Sequence, residues 1–213
     1  MASSQNNNDD IDINFFNLRS FNCFKTSQNK TEITYLLNLL KNNEYKTICE
    51  IGSYRGGSFY LFCQVAPDDA TLISVDIEYP IERKHAHRKF GKKGQKLFCI
   101  RGDTKDASTY NKVKNALHGQ QLDLLFIDGD HSLFGVMNDF IRYAPLVRQK
   151  GIIAFHDIKS NLTNNNKTDD STYVGDVPLF WQMIKDTSGI QTKEIIENPK
   201  QNGYGIGIII KDF

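Results

Sequence analysis

Two short stretches of this chain carry residue types that handle protons and cations. In Phe126-Ile127-Asp128-Gly129-Asp130-His131-Ser132 an apolar run delivers two carboxylates and an imidazole. In Ala154-Phe155-His156-Asp157 a second apolar run ends in an imidazole and a carboxylate. If the two runs are neighbouring strands, Asp128 and Asp157 face each other across roughly 5 Å. Carboxylates that close repel unless one is protonated or a cation lies between them. An oxygen-rich site with histidine at hand suits Mg²⁺, Mn²⁺ or Ca²⁺ better than a structural zinc.

A third stretch, Cys49-Glu50-Ile51-Gly52-Ser53-Tyr54-Arg55-Gly56-Gly57-Ser58, reads as a buried strand, a glycine turn and the first turn of a helix. Glycines at such a junction let backbone N–H groups approach a ligand, because no Cβ intervenes and positive φ is cheap. The pattern is that of a cofactor cradle.

The elements that position these stretches alternate. Apolar strands are expected at Thr71–Asp76, Leu97–Arg101, Leu122–Ile127 and Gly151–Phe155. Helices are expected near Glu32–Leu40 with Thr31 as cap, from the cradle through Phe62, at Ile81–Phe90, Asp106–Leu117, Leu133–Val147 and Val177–Lys185. Short buried strands alternating with amphipathic helices make a parallel sheet covered on both faces. The runs 193–197 and 205–210, separated by Asn198-Pro199 and Asn202-Gly203, signal a closing antiparallel hairpin. The expected fold is therefore α/β: a Rossmann-like, doubly wound, seven-stranded sheet, mostly parallel.

Ligands of such sheets bind beyond the carboxyl ends of the strands. Here those ends are acidic: Glu50, Asp76, Asp103, Asp128, Asp130 and Asp157. Neither G-x-G-x-x-G nor G-x-x-x-x-G-K-[ST] is present, and phosphates would be badly served by that much negative charge. A cationic, phosphate-free cofactor fits better. Asp76, at the end of the second strand, is where doubly wound folds hold a ribose diol.

The run Glu50–Ser58 closely resembles the cofactor motif of class I S-adenosylmethionine-dependent methyltransferases, particularly the catechol-type O-methyltransferases. The resemblance extends from about Thr47 to Asp157. It implies that Glu50 and the turn Gly52-Ser53-Tyr54, with Gly56, hold the methionine portion. By the same resemblance Ser58 reaches its carboxylate, Asp76 takes the ribose hydroxyls, and Asp103 with Thr104 borders the adenine. Asp128 matches the first metal ligand, His156 and Asp157 the following pair, and His131 the basic catalytic residue. Histidine replaces lysine at 131, and His-Asp replaces an acidic-amide pair at 156–157. The segments Asp128–Ser132, Asp139-Phe140, Ala144–Val147, Phe155–Asp157 and Val177–Trp181 more closely resemble the branch of sugar O-methyltransferases and cephalosporin-hydroxylase-like proteins. The resemblance thus implies O-methylation of a small-molecule or glycosyl hydroxyl, assisted by a divalent ion with Mg²⁺ expected. The alternatives are an S-adenosylmethionine-binding scaffold or regulator without transfer, and a nucleotide or RNA methyltransferase.

Some residues keep two readings. Asp103 can be a turn residue, Asp130 a helix cap or a partner of His131, His156 a structural hydrogen-bond partner, and Trp181 core packing. The basic run from Arg83 to Lys93 reads as a solvated helix face, or as a contact for an anionic substrate. It lacks the interleaved aromatics of a nucleic-acid surface.

With 213 residues, 39% hydrophobic, and a net charge of +1, the chain suits one globular domain with no field for nucleic acid or anionic membrane. No apolar run spans a bilayer and no secretory leader is visible, so a soluble cytoplasmic protein with reduced cysteines is expected. Residues 1–12 read as a disordered tail and 13–213 as a single domain with a polar loop or lid at 159–172. The aromatic segment Phe15–Phe24 is expected to pack on the core, or to form a contact between copies of the chain.

Overall fold

Strands β1 (Thr47–Ile51), β2 (Thr71–Asp76) and β4 (Leu122–Ile127) carry almost unbroken buried runs, and these form the middle of the sheet. The computed structural model describes residues 26–79, 84–85, 87–160 and 173–213. Around the central strands the order is β3-β2-β1-β4-β5-β7-β6, with β3 at Lys96–Arg101, β5 at Val147–His156, β6 at Thr192–Ile195 and β7 at Ile206–Ile210. The β1–β5 pairings are parallel; β7 runs antiparallel to both β5 and β6. Helices with fully described bounds are α1 (Lys30–Asn42), α2 (Gly57–Val65), α3 (Ala107–Leu117), α4 (Leu133–Tyr143) and α5 (Val177–Lys185). The doubly wound sheet with its antiparallel closing pair is thus as expected from the sequence.

Two-residue periodicity sorts the side chains into two cores. Ile48, Leu72, Leu124, Phe126 and Ile208 face α1 and α2, where they meet Leu36, Leu40, Phe59 and Phe62. Cys49, Ile73, Leu125, Ile153 and Phe155 face α3, α4 and α5, where they meet Val113, Val136, Tyr143 and Trp181. Fully burying one such side chain contributes about 1.5–3 kcal/mol. The sheet is therefore anchored on both faces, and its carboxyl ends form a rigid rim.

Several boundaries differ from the sequence reading, each for a local reason. Asn29, not Thr31, caps α1, its side chain accepting from the N–H groups of Thr31 and Glu32. Helix α4 stops at Tyr143 and a 3₁₀ turn at Ala144–Leu146 follows, because Pro145 lacks the N–H that another α turn needs. Strand β5 begins at Val147, before the expected Gly151. Trp181 is core, 1% exposed, with its indole N–H donating to Glu194 at 2.7 Å. Cys49, Cys63 and Cys99 are buried free thiols. Residues 1–25, including the expected tail, the aromatic segment and Cys23, lie outside the described residues, as do residues 161–172 of the expected lid.

Candidate active site

The chain switches direction across the sheet between β1 and β4, and backbone hydrogen bonds fix that junction. Gly52 N–H donates to Val75 at 2.9 Å, and Asp128 N–H to Ile51 at 2.8 Å. Gly52 has φ +86°, and a Cβ there would lie 1.9 Å from the Asp128 carbonyl oxygen. Only glycine lets the two strand ends approach this closely.

Two cavities meet at Gly52, Tyr54 and Asp128. The larger, about 650 Å³, is lined by Gln28, Ser53, Ser58, His131, His156, Asp157 and Tyr173 among others. The second, about 450 Å³, is lined by Asp76, Ile77, Gly102, Asp103, Thr104, Lys105 and Gly129 among others. The structure therefore gathers Gly52, Ser53, Tyr54, Ser58 and Asp128 around the first cavity, and Asp76, Asp103 and Thr104 around the second. Glu50 and Gly56 line neither. Glu50 lies fully buried behind Ser58, whose hydroxyl donates to its Oε1, while Oε2 is buried without a partner among the described residues. Burial pushes the Glu50 carboxyl up to about 8. An orphaned carboxylate oxygen beside a glycine cradle suits a cationic ligand.

Asp76 already has backbone partners. Its Oδ2 accepts from the N–H groups of Ser53 at 2.9 Å and Tyr54 at 2.7 Å, and Oδ1 from Glu78 at 2.8 Å. It therefore shapes the cradle as well as lining the cavity. Asp103 is both turn residue and lining: its Oδ1 accepts from Lys105 N–H at 2.9 Å. Asp130 does not cap α4. Ser132 does, accepting from Gly135 N–H, while Asp130 pairs with Lys105 at 3.1 Å and accepts from Ser132 N–H.

Beyond β4 and β5 the acids and imidazoles converge. His156 Nδ1 lies 3.2 Å from Asp128 Oδ1 and 3.3 Å from Asp157 Oδ2. His131 Nε2 lies 3.4 Å and 3.7 Å from the same two atoms. His131 Nδ1 donates to the Tyr173 carbonyl at 2.8 Å, and the Tyr173 ring stacks on the imidazole at 11°. With that N–H committed, Nε2 presents its lone pair to the carboxylates in the neutral ring. Burial pushes His156 down, yet the Asp128 and Asp157 charges outweigh it and bring the ring up to about 10. Burial likewise works against ionised Asp128, but the facing His156 and His131 hold its carboxyl well below the usual range. For His131, burial opposes the charged ring and the bond to Asp128 overcomes it, leaving its pKa raised.

Donor atoms of Asp128, His131 and Asp157 all lie within 4.8 Å of one another. Bonds of about 2.1 Å to one ion place neighbouring donors roughly 3.0–3.4 Å apart, close to the separations seen here. The cluster fits a divalent ion. His131, expected as a base, stands only slightly farther from these acids than His156 does.

Three further residues, Gln28, Tyr173 and Lys105, escaped the sequence reading, and Asp139 was legible there only as part of a resemblance. Gln28 Nε2 donates to Asp128 Oδ2 at 2.8 Å from far away in the chain. Tyr173 and Lys105 are those described above. Asp139, beside the Thr104 and Asn138 side chains, is pushed up to about 6 by burial. Contrary to the solvated face expected for the basic run, His87 is fully buried, whereas His85, Arg88 and Lys89 are exposed. Its own contacts explain this and are taken up below.

A glycine cradle after β1, an acid ending β2 and an acid-histidine cluster beyond β4 and β5, on this sheet order, define the class I S-adenosylmethionine-dependent methyltransferase arrangement. The sequence pattern of the methyltransferase-domain family matches residues 49–158, and the chain belongs to that family. The uncharacterized protein R132 of Acanthamoeba polyphaga mimivirus is 34% identical over 115 residues, covering 52% of this chain and 51% of that protein. The chain thus spans about half the length of this relative. An O-methyltransferase from Bacillus cereus, solved with S-adenosylhomocysteine, superposes with a TM-score of 0.66 at 14% identity, over 92% of this chain and 89% of the other. The methyltransferase MycE of the mycinamycin biosynthetic pathway, solved with Mg and S-adenosylhomocysteine, gives 0.54 at 15% identity, over 83% and 48%. At such identities the likeness is one of fold.

Proposed function

We propose that the protein is an S-adenosylmethionine-dependent O-methyltransferase acting on a hydroxyl of a small molecule or glycosyl unit. The observation that carries this is the convergence of His131 Nε2 with Asp128 and Asp157 at the cavity that the glycine cradle also lines. When bound, the cofactor supplies an electrophilic methyl on a sulfonium. Ser58 and the first-turn N–H groups of α2 suit its carboxylate, the charge of Glu50 behind Ser58 favours its ammonium, Asp76 suits its ribose diol, and the Asp103-Thr104 edge its adenine.

Asp128, His156 and Asp157 would hold a divalent ion, Mg²⁺ by expectation, which supplies Lewis acidity that makes an acceptor hydroxyl easier to ionise. His131 Nε2 would accept the proton of the acceptor hydroxyl, the methyl being supplied by the cofactor's sulfonium. The carbonyl of Tyr173 keeps that nitrogen facing the cluster. The same cavity carries Thr26, Ser27 and Gln28 with the aromatic rings of Tyr54 and Tyr173, a lining suited to a polyhydroxylated ring.

Calorimetry with S-adenosylhomocysteine, followed by transfer of labelled methyl into a panel of phenols and sugars with and without chelator, tests the reading. Absence of cofactor binding overturns it. Cofactor binding without transfer to any acceptor favours the scaffold alternative. Undiminished transfer in excess chelator removes the ion alone. No described helix is long and apolar enough to cross a membrane.

A further inference from the structure

His87 belongs to the most basic run of the sequence, yet the fold leaves it 0% exposed. A ring with two polar atoms in such a place is stable only if both are hydrogen-bonded. Nε2 lies 3.2 Å from the Arg55 carbonyl oxygen; a carbonyl only accepts, so Nε2 carries the proton. In the neutral ring Nδ1 is then the acceptor, and the Tyr79 hydroxyl donates to it. The Phe90 ring lies 4.7 Å and the Phe59 ring 6.3 Å from the imidazole, centroid to centroid.

Arg55 and Gly56 are the middle of the cofactor cradle. Gly56 has φ +84°, and a Cβ there would fall 2.1 Å from His87 Nε2. The imidazole thus packs into the space that the absent side chain leaves. Gly56 is also the N-cap of α2, so its conformation sets where the first N–H groups of that helix point. The earlier part of the same turn is held by Asp76 through Ser53 and Tyr54. The cradle is therefore gripped at two points, one from the end of β2 and one from the connection between β2 and β3.

We propose that His87 is a positioning residue for the cofactor-binding turn: its Nε2–H holds the Arg55 carbonyl, and its ring fixes Gly56 in the left-handed conformation that aims the start of α2 at the cavity. It touches no ligand itself. The expected effect on affinity rests on the cofactor reading above; the effect on the turn belongs to the ligand-free chain.

Two variants separate the hydrogen bond from the packing. H87F keeps a flat ring and removes both polar atoms; H87Q keeps an N–H within reach of Arg55. Two readouts are made on each variant chain: amide hydrogen exchange without ligand, and calorimetry with S-adenosylhomocysteine. In H87F, exchange at residues 53–58 is expected to rise roughly tenfold and the dissociation constant to rise by a similar factor, as for one lost buried hydrogen bond. Exchange in β4 and β5 stays unchanged, and H87Q stays within about threefold of the parent on both readouts. Parent-like exchange in H87F overturns the proposal. So does an H87Q that loosens turn and core strands as much as H87F, which would make His87 a packing residue only. Should the parent chain fail to bind S-adenosylhomocysteine, the functional reading falls while the exchange data still decide the role of His87. Should H87F not fold, Tyr79→Phe, which removes the donor to Nδ1, is expected to speed exchange at 53–58 by about threefold; unchanged exchange there overturns the proposal.

Discussion

The carbonyl oxygen of Asp128 occupies the place where a side chain on residue 52 would stand, 1.9 Å from an ideal Cβ on Gly52. Cradle and acid cluster are thereby locked together at one backbone contact. A substitution at Gly52 must move one or both. Gly52→Ala also forces a non-glycine residue to φ +86°, a strain of about 1–3 kcal/mol before any clash is counted. Affinity for S-adenosylhomocysteine is expected to fall at least about tenfold. Calorimetry checks this, and an affinity like that of the parent would show that the contact is dispensable.

Glu50 links pH to the ligand. Its pKa in the fold, about 8, lies above the ordinary 4.5, so between those values the folded chain holds a proton that the unfolded chain has lost. Its contribution to stability is therefore full below 4.5 and fades as pH rises through about 8. The urea midpoint of the ligand-free chain should decline over that window, and less so in Glu50→Gln. A cation arriving beside Glu50 at pH 7 should expel the proton. Binding heats measured in buffers of different ionisation enthalpy should then differ for the parent and coincide for the variant.

Asp128→Ala removes one of the two carboxylates facing His156. Affinity for Mn²⁺ as a probe ion is expected to fall about a hundredfold or more, since a ligand and its charge are both lost. Affinity for S-adenosylhomocysteine should stay within roughly threefold. Titration calorimetry with each probe separates the effects, and unchanged Mn²⁺ affinity would remove Asp128 from the ion site.

Phe126→Ala tests the core under the site. Phe126 is 0% exposed and packs edge-on against Phe62 at 5.4 Å between centroids. The cavity left behind should cost about 3–5 kcal/mol, read as a lowered urea midpoint. A loss below about 1 kcal/mol would mean that α2 collapses into the space.

Much of the frame was legible because periodicity reports burial directly. Apolar runs such as Leu122–Ile127 announced strands, and the acids that follow them announced the functional edge of the sheet. What was not legible lies in loops that meet across that edge. Gln28 precedes Asp128 by 100 positions and still donates to it. Tyr173 follows a polar stretch and nevertheless sets the orientation of His131. His87 sits beside the exposed Arg88 and Lys89, and local composition gave no sign that its ring is buried. Asp130 looked like a cap, but Ser132, nearer the helix start, took that role.

The sequence alone determined the order of strands and helices, the glycine turn after β1 and the acids and histidines at the ends of β4 and β5. Those follow from local rules: alternation, helical spacing, and the freedom of glycine at positive φ. Only the tertiary structure decided which of these groups share a volume. It placed both imidazoles between Asp128 and Asp157, put Glu50 behind Ser58 instead of in the cavity, and turned His87 inward against Gly56. Such choices depend on how separate loops pack over the sheet rim, a long-range balance of burial and hydrogen bonding that no window of sequence contains.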